Sequence, residues 1–262
     1  MLKIKQYIRP QSLEEAYALC QKKGNIVLGG MLWLKLQDQS VGTAIDLCDL
    51  GLNQIEETDT EYRIGAMVSL RELEMHPGLN AFTQNALAQC LAPIVGVQFR
   101  NMATIGGSMW GKFGFSDPLT LFLALGAKLE LYHRGLVSLE DWANMPPERD
   151  ILMHVILPKQ ALQTSYRCVR NAATDFPVLT CAVCKHEDGM VCAIGARPAK
   201  AMLLRDDKQI LANGVTEESA ETFAEDIAQR ASFGSNMRGS AEYRKKICRV
   251  LVRRALLNSE EV

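Results

Sequence analysis

The chain predicts an α+β fold, and three observations carry that expectation. Its 262 residues are 48% hydrophobic, enough for one large domain or two modest ones around real cores. Strand-like and helix-like signals alternate over the first 159 residues, with no repeat or low-complexity block. Past residue 159 the pattern changes to three strand-like runs followed by two helical ones, which places a domain boundary there.

Taken in order, "SLEE" at 12 to 15 is a capping-box pattern of Ser12 with Glu15, opening a helix that Gly24 closes. A strand, "NIVL", runs straight into Gly29-Gly30. A helical stretch is expected around Leu32 to Leu36, then a strand in "TAIDLCDL". In "YRIGAMVSLREL" a strand and a turn lead to a helix capped by Ser69 with Glu72. Residues 80 to 92 have helical spacing up to Pro93, and "QFRNMATIGGS" then leads through "SDPLTLFLALGAKLELY" into helix and strand. Pro158 stops the strand "DILMHVILP". Strands follow at 164 to 170, 178 to 186 and 190 to 195, and helices at 217 to 231 and 240 to 257. The domains so read are 1–159, with subdomains of about 1–52 and 53–159, and 160–262.

Composition narrows the function classes. With 29 basic and 30 acidic residues the formal net charge is -1, so no whole-molecule field draws in nucleic acid or an anionic membrane. No apolar run approaches the roughly 18 residues of a membrane span, and the start lacks the apolar core of a signal peptide, so a cytoplasmic location is expected. The eight cysteines have no framework spacing, and reduced, buried thiols are expected. Cys181 and Cys184 make a CxxC, yet they sit on one arm of a hairpin that turns at "EDG", where residues three apart face opposite sides. A core role is expected for both. No Ser-His-Asp set or HExxH is present, and the four histidines lie far apart, so hydrolysis and zinc chemistry have no visible basis and neither catalytic nor metal-binding residues are assigned.

Two Gly-Gly pairs remain, at 29–30 and 106–107, each next to an apolar strand-like run. Such a step lets backbone amides converge without Cβ obstruction, making a cradle for an anion such as phosphate, although a Gly-Gly is also a plain tight turn. Neither reads GxGxxG, and no Walker-type loop is present. The residues alone leave cradle and turn both open.

The segments "VLGGMLWLKL", "YRIGAMVSLREL", "FRNMATIGGSMWGKFGFSDP", "DILMHVILP", "RCVRNAATDFPVLTCAV" and "GSAEYRKKICRVLVRRAL" fall in the order and spacing of one family. The chain resembles the FAD-binding medium subunit of the molybdenum hydroxylases, the xanthine dehydrogenase and carbon monoxide dehydrogenase type. The resemblance implies a vanillyl-alcohol-oxidase-like FAD-binding fold of two α+β subdomains, followed by a C-terminal three-stranded sheet with helices. It implies FAD as cofactor, with the diphosphate on backbone amides of a first loop, Leu28, Gly29, Gly30, Met31, Leu32 and Trp33, and a second, Thr104, Ile105, Gly106, Gly107 and Ser108. Asp117 matches a ribose-binding acid, Ile94 and Met153 apolar lining positions, and Arg167 a basic position near the flavin. The same residues have plain readings: Ile94 and Met153 as core, Arg167 as a solvated strand residue, and Asp117 as the N-cap of the helix that Pro118 begins.

The chain departs from the family at Met31-Leu32, where a polar pair is usual, and at Ser108, where Asn is usual. It departs again in "MWGKFGFSD", which puts Trp110, Phe113 and Phe115 where small residues and a proline are the rule. The implied partners are a molybdenum-cofactor large subunit and a small subunit with two [2Fe-2S] clusters, with NAD⁺ or another acceptor beyond the flavin and a purine such as xanthine as parent substrate. A scaffold that has lost useful FAD affinity and a stand-alone flavin oxidoreductase are the alternatives. In the last helix six basic residues lie beside Ile247, Val250, Leu251 and Leu256 at helical spacings, so one face packs and the other, charged, is either solvated or docks an acidic partner.

Overall fold

Ser12 opens the first helix as expected. Its Oγ accepts the Glu15 amide at 3.1 Å, and Glu15 reaches back to accept the Gln11 amide at 2.8 Å. In the computed structural model, which describes residues 1–257, strand β1 (Lys3–Ile8) precedes this helix, α1 (Leu13–Cys20). The helix stops before Gly24, which takes φ +88° in the turn to β2 (Ile26–Leu28). The helical stretch expected near Leu32 is a single 3-10 turn, Leu34–Leu36, leading to β3 (Ser40–Asp46). The parallel sheet β1-β3-β2 packs against α1 through Ala16, Cys20, Ile45, Leu47 and Leu52.

Strands β4 (Ile55–Glu57) and β5 (Glu61–Gly65) lead to α2 (Leu70–Met75). Here the Ser69 amide donates to Glu72 Oε2 at 2.7 Å and the Glu72 amide to Ser69 Oγ at 3.1 Å, a complete capping box. Residues 80 to 92 are not one helix. They split between α3 (Pro77–Phe82) and α4 (Ala86–Leu91), because Gln84 and Asn85 take φ of 53° and 63°, and a right-handed helix cannot run through two left-handed residues.

Next come α5 (Val97–Met102), α6 (Ile105–Trp110), α7 (Asp117–Ala124), β6 (Lys128–Leu131), β7 (Gly135–Ser138), α8 (Leu139–Asn144) and β8 (Leu152–Pro158). The order β4-β5-β8-β6-β7 makes a five-stranded sheet. Buried Asp150 accepts the amides of His133, Arg134 and Ile151 and fixes the turn beyond β6.

The last segment holds β9 (Gln163–Arg170), β10 (Pro177–His186), β11 (Gly189–Gly195) and β12 (Met202–Arg205), then α9 (Glu217–Arg230) and α10 (Ala241–Leu257). The three expected strands are present within a residue or two. The short β12 extends them into an antiparallel sheet, β12-β11-β10-β9. One face carries α9 and α10 over Leu179, Cys181, Cys192, Ile194, Phe223 and Leu251. On the sheet's other side α7 ties in through Thr120 and Thr180, whose hydroxyls are 3.0 Å apart. Cys181 and Cys184 are both buried because the sheet is covered on both sides, and all eight cysteines are free. Among the described residues no cluster of His, Cys, Asp and Glu could hold a metal, and no helix is long and apolar enough to cross a membrane.

By packing, residues 1–72, 97–111 and 127–157 form one unit, and 73–96, 112–126 and 158 onward form another. Helices α3, α4 and α7 therefore pack with the C-terminal sheet, although in sequence they lie within 1–159.

Candidate functional site

Strand β2 buries Leu28 and releases the chain at Gly29-Gly30, and the first packing unit explains why glycine stands there. A Cβ on Gly29 would lie 2.7 Å from Thr104 Oγ1, and one on Gly30 only 1.7 Å from the Met102 carbonyl oxygen. On Gly106 it would lie 2.5 Å from the Ala66 carbonyl oxygen. Two of the four glycines, Gly30 and Gly106, are thus required by close backbone approach and Gly29 by the Thr104 side chain, and the two loops, 77 residues apart in sequence, are packed onto each other.

The backbone of the second loop is committed to the protein. The Ile105 amide donates to Val68 O and that of Gly106 to Ala66 O, both at 2.9 Å. Thr104 N-caps α6 by accepting the Gly107 amide at 3.1 Å, and its carbonyl accepts the Ser108 amide at 3.1 Å and the Ser108 hydroxyl at 3.0 Å. The Leu70 amide donates to Ala103 O at 2.8 Å, anchoring the approach to the loop. The first loop is the opposite case. Among the described residues, no hydrogen bond of the protein engages the amides of Gly29, Gly30, Met31 or Leu32. Four successive amides at the end of a strand are thus left without an acceptor from the protein.

The apolar pair Met31-Leu32 has a packing role. Leu32 is buried, and Met31, at φ 60°, packs with Leu28, Val41 and Ala44. Trp33 meets Phe99 edge-on, with ring centroids 5.9 Å apart. Met153 is half-buried against the core under α1. Trp110 packs on Trp142 at 4.9 Å, and Trp142 Nε1 donates to Met109 O.

The remaining sequence candidates belong to the second unit. Ile94 is half-buried. Arg167 donates to Gln89 Oε1 at 3.2 Å and to Tyr166 O at 2.9 Å, so it is tethered within the protein. Asp117 does not cap α7: Ser116 does, accepting the Leu119 amide at 3.2 Å, and Asp117 is the first residue of the helix. Its carboxylate is 4% exposed, and Oδ1 accepts from Tyr166 Oη and Arg170 Nη2, both at 2.5 Å. Burial pushes the Asp117 carboxyl above the ordinary range against the pull of Arg170 and Tyr166, while Arg170, despite its own burial, is held above its usual value by Asp117. Phe113 and Phe115 stack at 5.1 Å, Phe115 meets Phe176 at 4.5 Å, and Arg238 lies 4.8 Å over the Phe176 ring.

Sequence reasoning missed two sets of residues. Ala66, Met102 and Ala103 act through backbone carbonyls and contacts, which leave no side-chain signature. Tyr166 and Arg170 were legible in principle, because alternate residues of β9 share one face and buried charges seek partners.

Residues 2–160 match the family model described as the FAD binding domain in molybdopterin dehydrogenase, and residues 164–259 match the CO dehydrogenase flavoprotein C-terminal domain. The protein YgfM of Escherichia coli (strain K12), described as uncharacterized, is 29% identical over 95% of this chain and 94% of its own. The nicotine 6-hydroxylase medium subunit of Paenarthrobacter nicotinovorans is 27% identical over 97% of this chain and 96% of its own. Among solved structures, a chain of carbon monoxide dehydrogenase from Hydrogenophaga pseudoflava superimposes with a TM-score of 0.86 at 24% identity, covering 98% of this chain and 97% of that one. The fold is shared at that level.

Proposed function

The chain belongs to the family of FAD-binding medium subunits of molybdenum hydroxylases, and we propose that it is the electron-transfer flavin subunit of such a complex. The single observation that supports this reading most directly is the unengaged amide run Gly29 to Leu32, held open by the backbone of residues 102 to 107. Bound FAD would supply the redox chemistry, exchanging electrons singly on one side and in pairs on the other, and the chain would supply binding, orientation and electrostatics.

We assign the diphosphate oxygens to the amides of Gly29, Gly30, Met31 and Leu32, which are neutral donors on a rigid support. Leu28, Trp33 and Met153 give an apolar flank that excludes water. Thr104, Ile105, Gly106 and Ser108 keep the first loop in shape, and the exposed Gly107 leaves room above it, since a Cβ there would meet only Thr104 Oγ1, at 3.2 Å. In the second unit, Tyr166 and Arg170 both donate to Asp117 Oδ1, and a ribose-binding role for this carboxylate is carried over from the family resemblance. Ile94 would offer apolar contact, and Arg167 a positive charge whose orientation is fixed by Gln89.

The partners that fit this role are a molybdenum-bearing large subunit and a small subunit with two [2Fe-2S] clusters, the acceptor is NAD⁺ or another oxidant, and the parent substrate is a purine such as xanthine. The purine assignment rests on the family resemblance, and the relative named for nicotine hydroxylation keeps nitrogen heterocycles in view. Eight free thiols suit the reducing cytoplasm. The apolar Met31-Leu32 pair favours a second reading, a scaffold without flavin. The visible spectrum of the gently purified chain decides between them. A flavin band with FAD released on heating supports the first, and a colourless chain that takes up no added FAD overturns it. Xanthine-dependent NAD⁺ reduction by the purified complex tests substrate and acceptor together.

A further inference from the structure

Helix α10 carries six basic residues, and the structure sorts them into three groups. Arg244 is fully buried and donates to the carbonyls of Val178, Gly234 and Gly239 and to Asn236 Oδ1, so its charge holds the chain ahead of the helix. Arg249 and Arg253 turn toward α9. Arg249 pairs with Glu225 at 2.5 Å, and Arg253 pairs with Glu217 and, at 3.3 Å, with Glu221. The three glutamates recur every four residues, so α9 presents one acidic row to one basic row of α10.

The third group is Lys245, Lys246 and Arg254, which make no ion pair among the described residues. Lys246 and Arg254 are exposed and stand eight residues apart, with Val250 midway between them and 45% exposed. Tyr243, 44% exposed, lies one turn before Lys246, while half-buried Ile247 turns to the core beneath. At 3.6 residues per turn Tyr243, Lys246, Val250 and Arg254 form one outward ridge of cationic and apolar groups. Its two cations stand two turns apart, where the face that α9 covers has Arg249 and Arg253 one turn apart.

We propose that this ridge, Tyr243, Lys246, Val250 and Arg254, is the docking surface for an acidic amphipathic helix of a partner subunit, one that presents carboxylates two turns apart, as Glu217 and Glu225 of α9 stand. The inference rests on the reading of the chain as a medium subunit. A second copy of this chain docking ridge to ridge would set Lys246 and Arg254 against like charges, which disfavours self-association there. Val250 and Tyr243 give the contact an apolar centre, and the two cations set its register and its salt dependence.

The test uses the complex purified from its source through a tag on this chain, with the partners identified by molybdenum and iron content. Two variants are compared with the parent, Lys246→Glu/Arg254→Glu and Val250→Glu, and each is checked for unchanged thermal melting and FAD content. The expected result is that both variants retain at least tenfold less partner than the parent at physiological salt, and that the parent complex itself loosens as salt rises, because charges at a rim are screened beyond a Debye length of about 8 Å. A parent that co-purifies with molybdenum and iron while both variants retain them equally overturns the docking surface and leaves the medium-subunit reading standing. A parent that binds FAD but brings no molybdenum or iron overturns the partner reading and the docking surface together. A variant that instead shifts the chain between monomer and dimer assigns the ridge to a second copy and overturns the proposal.

Discussion

Replacing Gly30 by alanine would place a methyl carbon 1.7 Å from the Met102 carbonyl oxygen, 2.5 Å from its carbonyl carbon and 3.1 Å from Ala103 Cα. Ordinary van der Waals separation is about 3.5 Å, so the two loops would have to part by about 1.8 Å. All three atoms belong to main chain, which cannot swing away as a long side chain can. Overpacking of this kind costs about 3 kcal/mol at the upper end of its usual range. In a chain of this size each kcal/mol shifts the melting temperature by about 2 to 4 °C, so Gly30→Ala should melt about 6 to 12 °C lower. Displacing the first loop should also spoil about two amide contacts to the cofactor, roughly 2 kcal/mol or about thirtyfold in FAD affinity. The assays are thermal denaturation of the apoprotein and flavin titration followed by fluorescence quenching. Gly107→Ala is the internal comparison: its Cβ meets only Thr104 Oγ1 at 3.2 Å, on an exposed helical residue, so melting should stay within a degree or two. A Gly30→Ala chain with unchanged melting and unchanged affinity would refute the argument that the second loop shapes the first. Unchanged affinity in Gly107→Ala would confine the second Gly-Gly to that supporting role.

Arg244→Met should cost about 3 kcal/mol or more, because it strands buried acceptors at Val178, Gly234 and Gly239; urea denaturation measures it. Tyr166→Phe removes the hydroxyl from Asp117 and should destabilise the chain by about 1.5 to 3 kcal/mol, while an FAD affinity that falls in parallel would tie this buried pair to the cofactor. Asp226 is desolvated by burial, yet Lys208 and Arg230 hold its carboxyl below the usual carboxylate range. A depressed folded-state value means that its stabilisation is present above the ordinary carboxylate pKa of about 3.9 and is lost as pH falls through the lowered one. Asp226→Asn should therefore flatten the acid limb of a melting-temperature profile below about pH 4, and an unaltered limb would sink that assignment.

The C-terminal sheet was legible because its strands are long, apolar and bounded by "EDG" and proline, and α9 and α10 because their apolar spacing is regular over fourteen and seventeen residues. Residues 80 to 92 misled because only Asn85, which tolerates the left-handed region, hints at a break, and Gln84 before it is a helix former that gives no sign of one. Leu32 to Leu36 has a helical apolar pattern, but Leu32 is buried and Lys35 and Leu36 are exposed, and only one 3-10 turn forms. At the site, the Gly-Gly pairs were visible, and their reason was not. Met102 O pressing on Gly30 is a contact across seventy residues made by main chain, which composition and periodicity do not record.

The packing of α7 has a consequence for the order in which this chain is made. Its eight residues, 117 to 124, are buried without exception, and β10 and β11, against which they pack, are encoded about sixty residues later, several seconds of synthesis at about 5 to 20 residues per second. During that interval Leu119, Leu121, Phe122 and Leu123 have no partner sheet. The nascent chain is therefore at its stickiest midway through translation, and a stall or a premature stop just past residue 159 should yield a fragment that aggregates or is held by chaperones.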